Sequence, residues 1–335
     1  MSIPKIAVEE HFIPPELIDS YEKFYPAPKW PALRNALLDT HGQLLATMDA
    51  SGVEMTLLSL SSPGIQGIPA RQQAIEMARR LNDFLAEQVA KRPDRFQGFA
   101  ALPLQDPDAA AKELVRCVHE LGFKGAMING FSQIDKEDSM VYYDLPQYRP
   151  FWATAESLDV PCYMHPRYPV EEPRNIEGHP WLRGAAWSFG VEAATHALRL
   201  ITCGLFDQYP KLTIILGHLG EMLPSAIWRL DHRVKVFKRG FPAKRTPLDC
   251  FRNNFYVSTS GNFCTHLLLD AILTLGVDRV LFAADYPFED MAEGAAWFDQ
   301  LDVISETDRI KIARTNAERL FKLGRPVKEP TLSPA

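Results

Sequence analysis

The sequence predicts a single α/β domain of the (β/α)8 TIM-barrel class, and three observations carry that prediction. Eight short β-rich runs recur along the chain, separated by stretches that include clear helical apolar spacing. The 335 residues show no compositional break, and α/β barrels reach this length as one unit. The competing architecture, a doubly wound open sheet, usually carries a glycine fingerprint after its first strand, and IAVEEHFIPP (6–15) has none.

The elements follow in order. IAVE (6–9) reads as the first strand, and a long insertion over 12–42 separates it from the second, EMTLLSL (54–60). PARQQAIEMARRLNDFLAEQVAKRP (69–93) has the 3.6-residue apolar spacing of a helix, and FQGFAAL (96–102) is the third strand. The next helix, 106–122, opens on Asp106-Pro107 and stops at Gly122, a start and a stop signal in the expected places. Strands four to eight are KGAMIN (124–129), PCYMH (161–165), KLTIILGH (211–218), FYVSTS (255–260) and RVLFAAD (279–285). A second insertion, 166–190, follows the fifth strand. Further helices are expected over 264–276, 289–301 and 305–323. The barrel thus spans 1–323, and a Pro-containing tail, 324–335, is expected to be poorly ordered. Both insertions follow strand C-termini, the end where barrels build their pockets.

Composition narrows the function. The chain is 46% hydrophobic and 23% charged, as ordinary globular proteins are, and its net charge of −6 offers no basic patch for nucleic acid. Five widely spaced cysteines without a C-x-x-C fit neither a disulfide framework nor a zinc knuckle, and point to a reducing compartment. The N-terminus enters IAVEEHF without a basic-then-apolar leader, so a cytoplasmic protein is expected. No uncharged apolar run approaches the roughly 18 residues of a membrane span.

What stands at the strand ends is the informative pattern. The first strand ends in Glu9 and His11, two residues apart and therefore on one face, with Glu10 on the other. Such a pair forms an ion pair or holds a metal. Asn129 closes the fourth strand, His165 the fifth, His218 the sixth and Asp285 the eighth. A barrel brings these ends to one mouth, where its catalytic residues are drawn from several strands. Each histidine alone also reads as a satisfied structural group. Together, Glu9, His11, His165 and Asp285 make a mixed N/O donor set for one borderline divalent ion such as zinc or manganese, with magnesium also allowed. His218 reads as a fifth ligand or, preferably, as an acid/base group.

The motifs EEH (9–11), MHPR (164–167), GHLGE (217–221) and DYPFE (285–289) resemble those of the metal-dependent decarboxylases of the amidohydrolase superfamily. KRPDRFQGFAALPLQDPDAA (91–110), INGFSQ (128–133) and YYDLPQYRPFW (142–152) extend the resemblance to roughly residues 5–323. The hydrolases of the superfamily typically open with H-x-H and often carry a metal-bridging lysine where Asn129 stands; both departures favour one metal ion over two. Branches acting on 2,3-dihydroxybenzoate tend to read EEAF, so His11 tilts the resemblance towards the γ-resorcylate branch.

That resemblance implies a small aromatic hydroxy acid substrate, non-oxidative decarboxylation without an organic cofactor, and a homo-oligomer, tetramer or dimer. Asp285 is the expected proton donor, ligand or both in turn, with His218 beside it and Glu221 orienting that imidazole. Phe24, Trp187, Phe189 and Phe288 are candidate walls for the ring, and Asn129 a candidate partner for a second ring hydroxyl. Arg229 is a candidate partner for Glu221, or a surface or subunit salt bridge. His41, His119, His179, His196, His232 and His266 read as structural. The rival readings are a decarboxylase of 2,3-dihydroxybenzoate or salicylate, a hydrolase of the same superfamily, and a non-catalytic barrel that senses a metal or aromatic acid.

Overall fold

Small and β-branched residues extend Lys5–Phe12 into a strand, β1, buried along its whole length. The computed structural model describes residues 3–25 and 27–324, so the tail expected to be poorly ordered falls, from 325 on, outside the described residues. After β1 come β2 (Val53–Leu60), β3 (Phe96–Gly98), β4 (Ala100–Ala101), β5 (Ala126–Asn129), β6 (Cys162–His165), β7 (Ile214–Leu216), β8 (Phe255–Ser258) and β9 (Val280–Leu281). Every pairing is parallel, in the orders β1-β2-β3 and β4-β5-β6-β7-β8-β9. β3 and β4 are the two halves of the third predicted strand, broken only at Phe99, whose N–H donates to Leu58 O (2.9 Å). The last strand returns to the first: Val8 N donates to Phe282 O (3.1 Å), Asp285 N to Glu9 O (3.0 Å) and His11 N to Tyr286 O (2.8 Å). Hydrogen bonds thus run round the whole barrel.

The alternation of side chains sorts them into two cores. Ile6, Val8, Leu57, Phe99, Met127, Tyr163, Ile215, Tyr256 and Leu281 fill the barrel. Ala7, Leu58, Ile128, Met164, Ile214 and Val257 face outward beneath the helices. The predicted helices are present as Arg71–Lys91, Pro107–His119, Thr265–Leu275 and Met291–Asp299. Asp106 caps the second, its carboxylate accepting from the Asp108 and Ala109 N–H groups. The closing helix is not uniform as expected: a π turn over Lys311–Thr315 divides Glu306–Ile310 from Asn316–Leu320. There the Ile312 carbonyl accepts from Phe282 N (3.0 Å), tying the helix to the last strand. No described helix is long and apolar enough to cross a membrane.

Four strands end earlier than the sequence suggests: the runs predicted to 102, 218, 260 and 285 stop at Ala101, Leu216, Ser258 and Leu281. Just beyond Leu216, His218 (φ 50°) adopts left-handed backbone, which a ladder does not tolerate, and Asp285 (φ 68°) does so four residues after Leu281.

Candidate active site

The register of β1 against β2 decides what enters the barrel mouth. Ala7 pairs with Thr56 but Glu10 with Leu58, so β1 carries one extra residue at Val8–Glu9. This bulge inverts the alternation: Ile6 and Val8 point into the barrel, and then Glu9 and His11 do. Elsewhere the alternation simply continues, from Tyr163 to His165 on β6, and from Leu57 to Ser59 on β2.

Four donor groups converge there. Glu9, His11, His165 and Asp285 each offer a ligand atom, and these atoms all lie within 4.8 Å of one another. Glu9 Oε1 is 3.7 Å from His11 Nε2 and 3.5 Å from His165 Nε2, and Asp285 Oδ1 is 3.2 Å from His11 Nε2. All four residues are buried, yet Glu9 Oε1, His11 Nε2 and Asp285 Oδ1 have no hydrogen-bond partner. Buried polar atoms are normally satisfied. Three orphans aimed at one point, with a 2-His, 2-carboxylate donor set, fit a single divalent cation. Burial and the charge on His11 hold His165 well below the usual imidazole range, which leaves it in the neutral form a metal requires. His11 itself is pushed up to about 9; burial opposes its charge, but Asp285 and Glu9 outweigh burial.

Residues that sequence reasoning passed over hold these ligands. Glu9 Oε2 accepts a short hydrogen bond from Tyr163 Oη, which also meets Ser258 Oγ (2.6 Å). A Cβ at Gly217 would come within 2.8 Å of Glu9 Oε2, so only glycine admits the carboxylate there. Ser59 Oγ lies 3.2 Å from His11 Nδ1 and orients the ring by its unliganded side. Tyr163 was legible by its parity with His165. Ser59 was not, because nothing in β2 alone says that it lies opposite His11.

His218 stands beside the donors rather than among them. Its Nε2 is 3.5 Å from Asp285 Oδ2 and 4.0 Å from Glu9 Oε1, and its Nδ1 is 2.6 Å from Glu221 Oε1. The GHLGE turn achieves this with left-handed backbone at His218, Leu219 and Glu221 (φ 50°, 57° and 53°), a strain that functional turns retain. Burial works to discharge the ring, but Glu221, Asp285 and Glu9 prevail and keep its pKa well above the usual value. Burial would raise Asp285; His11 and His218 instead hold it well below the carboxylate range. The proton of this pair therefore rests on His218.

Two cavities flank the group. The larger, of about 870 Å³, is lined by Phe24 and Phe288, by Arg167, Tyr168 and Phe189, and by His165, His218 and Asp285. The two insertions and the segment after β9 (285–291) supply its walls. Trp187 lines only the neighbouring cavity of about 390 Å³, shared with His218, Glu221 and Asp285, and is 45% exposed. Asn129 lines neither: its Nδ2 donates to Leu60 O (3.1 Å), close under Gly64, and its Oδ1 has no partner. Arg229 is exposed and, among the described residues, makes no ion pair with Glu221. Of the histidines expected to be structural, His196 is buried and accepts from Tyr143 N (3.3 Å), while His232 stacks on Trp228.

Glu192, which the sequence did not single out, is buried beside this network with neither oxygen bonded. Burial pushes it up to about 8, against the Arg167 charge and with that of Glu221. The unfolded chain releases this proton near pH 4.5, whereas the fold keeps it until about 8. The folded state therefore binds the extra proton, and stability falls as pH rises through that window, by roughly 3–5 kcal/mol. Glu192→Gln is expected to remove this fall, so that the variant melts above the wild type at pH 8.5 and close to it at pH 4.5. Melting curves that stay parallel across this range would refute the assignment.

A model of the amidohydrolase family matches residues 22–323. The chain belongs to this amidohydrolase family. Its relatives within the family include γ-resorcylate decarboxylases of Rhizobium sp. (strain MTP-10005), 55% identical over 95% of this chain and 98% of the relative, and of Rhodococcus jostii (strain RHA1), 55% identical over 96% and 99%. Among solved structures of amidohydrolase-type decarboxylases, 2,6-dihydroxybenzoate decarboxylase complexed with 2,6-dihydroxybenzoate superposes with a TM-score of 0.92 at 55% identity, covering 96% of this chain and 100% of the other. The dihydroxybenzoic acid decarboxylase of Polaromonas sp. JS666, with bound manganese and the inhibitor 2-nitroresorcinol, gives 0.92 at 53% identity, covering 96% and 98%.

Proposed function

We propose that this amidohydrolase-family chain is a metal-dependent carboxy-lyase that converts 2,6-dihydroxybenzoate to resorcinol and CO2. The observation that carries the reading is the set of orphaned donor atoms on Glu9, His11 and Asp285, with His218 Nε2 3.5 Å from Asp285 Oδ2. The relatives named above, which are decarboxylases over nearly their full length, support the same activity.

Glu9, His11, His165 and Asp285 would hold one divalent ion, Mn2+ or Zn2+ with Mg2+ also suited to the donors. Bound there, such an ion offsets the negative charge of a 2-hydroxybenzoate's carboxylate and ortho oxygen. Phe24, Phe288 and Phe189 wall the ring and Trp187 closes the adjoining cavity, whereas Asn129, which lines neither cavity, is left out of the ring's contacts. Direct loss of CO2 from an aryl carbon would leave an unstable sp2 carbanion. The chain avoids this by protonating the ipso carbon first. The proton held on His218 passes to Asp285 and from there to the ring carbon; the C–C electron pair then returns to the ring and CO2 leaves. Glu221 keeps the imidazole oriented and charged. No redox change is involved, so the reverse carboxylation runs at high bicarbonate.

The test is metal analysis of the purified protein coupled to a spectroscopic screen of 2,6-dihydroxybenzoate, 2,3-dihydroxybenzoate and salicylate for CO2 release. Turnover of the first with manganese or zinc bound supports the reading. Hydrolysis of a lactone or amide with no CO2 from any of the three acids overturns it. The chain also assembles as a homo-oligomer, a tetramer or dimer, through the exposed Trp187, Met222 and Leu267 around the smaller cavity. Sedimentation at monomer mass at micromolar concentration would sink that assembly. The cysteines among the described residues are all free, which suits the cytoplasm; recovery of the protein outside the cytosolic fraction would contradict this location.

A further inference from the structure

The barrel seam contains a group that the proposed chemistry does not use. Where β1 meets the chain beyond β9, backbone bonds run from Val8 N, Asp285 N and His11 N. Asp285 has left-handed backbone (φ 68°), so a regular ladder cannot continue through it, and the N–H groups on either side of it need other acceptors. Both find the same one. Ala284 N donates to Glu10 Oε1 (2.9 Å) and Tyr286 N to Glu10 Oε2 (2.6 Å). Glu10 is 0% exposed and lines neither cavity.

We propose that Glu10 is the positioning residue for Asp285: its carboxylate clamps the two N–H groups flanking that residue and holds it in the left-handed conformation that brings Oδ1 to His11 and Oδ2 to His218. The extra residue in β1 makes this possible, since it turns Glu9 and His11 into the mouth and leaves Glu10 facing the seam. Only a glutamate meets the geometry. An amide offers a single acceptor oxygen and would set an NH2 against a backbone N–H, while an aspartate is one methylene too short to reach both donors.

The inference rests on the metal-site reading above but not on the substrate, so it is tested with manganese alone. Glu10→Gln is expected to weaken Mn2+ binding about 10–100-fold, the loss typical when a partner that orients a metal ligand is removed. In an Asp285→Ala background the same change is expected to cost nothing further, because the residue it positions is gone. A merely structural role predicts the same loss in both backgrounds. Wild-type Mn2+ affinity in Glu10→Gln, or an undiminished loss in the Asp285→Ala background, overturns the proposal. Should Glu10→Gln fail to fold, Glu10→Asp keeps the carboxyl group while releasing one N–H, and the same pair of titrations is expected to show a smaller loss that also vanishes with Asp285→Ala. If decarboxylation were absent but this coupling present, the function reading alone would fall.

Discussion

Asp285→Asn is expected to lower turnover of 2,6-dihydroxybenzoate roughly 10²–10⁴-fold while manganese stays bound, the range spanned by a positioned general acid. The amide retains an oxygen where Asp285 Oδ1 faces His11, so the donor set stays four-membered. It cannot take a proton from His218, whose Nε2 lies 3.5 Å from Oδ2, and pass it to carbon. The replacement also removes a negative charge that helps keep His218 protonated, so the store of protons and the route from it fail together. Steady-state kinetics beside metal analysis of the same sample decide the matter. Near wild-type turnover with full metal would take Asp285 out of the donor role.

Glu9→Gln is expected to abolish activity by a different route, with bound metal falling to below about a tenth of the wild-type content. Glu9 Oε1 faces His11, His165 and His218 at 3.5–4.0 Å, while its other oxygen is occupied by Tyr163. An amide there carries no charge to draw a dication into a buried site, and its NH2 would meet the hydroxyl that Tyr163 now donates. Added Mn2+ at micromolar concentration should not restore turnover, whereas wild-type protein stripped by a chelator should recover fully. Stoichiometric manganese in Glu9→Gln would contradict the central place given to this carboxylate. The two substitutions therefore separate chemistry from metal binding, one losing turnover with metal present and the other losing both.

The barrel was legible because its evidence is local. Short apolar runs, helix-start signals such as Asp106-Pro107 and the lack of a glycine fingerprint each act over a few residues, and the strands they predict are all present. The donor set was legible for a related reason. A carboxylate or imidazole ending an apolar strand is unusual enough to notice, and the topology of a barrel carries such ends to one mouth. Several ends were misjudged, Leu216 among them, since an apolar run does not reveal that a residue just beyond it, here His218, turns left-handed.

Sequence alone determined which elements form, their order around the barrel, and which polar side chains stand at its open end. The tertiary structure decided how those side chains meet. It placed the bulge that turns Glu9 inward, set Ser59 opposite His11 and Tyr163 against Glu9, brought Glu10 to the backbone around Asp285, and buried Glu192 without a hydrogen bond to its carboxyl oxygens. The reason is that strand formation depends on neighbours in the chain, whereas register, desolvation and the sharing of a proton depend on groups that only the closed barrel makes neighbours.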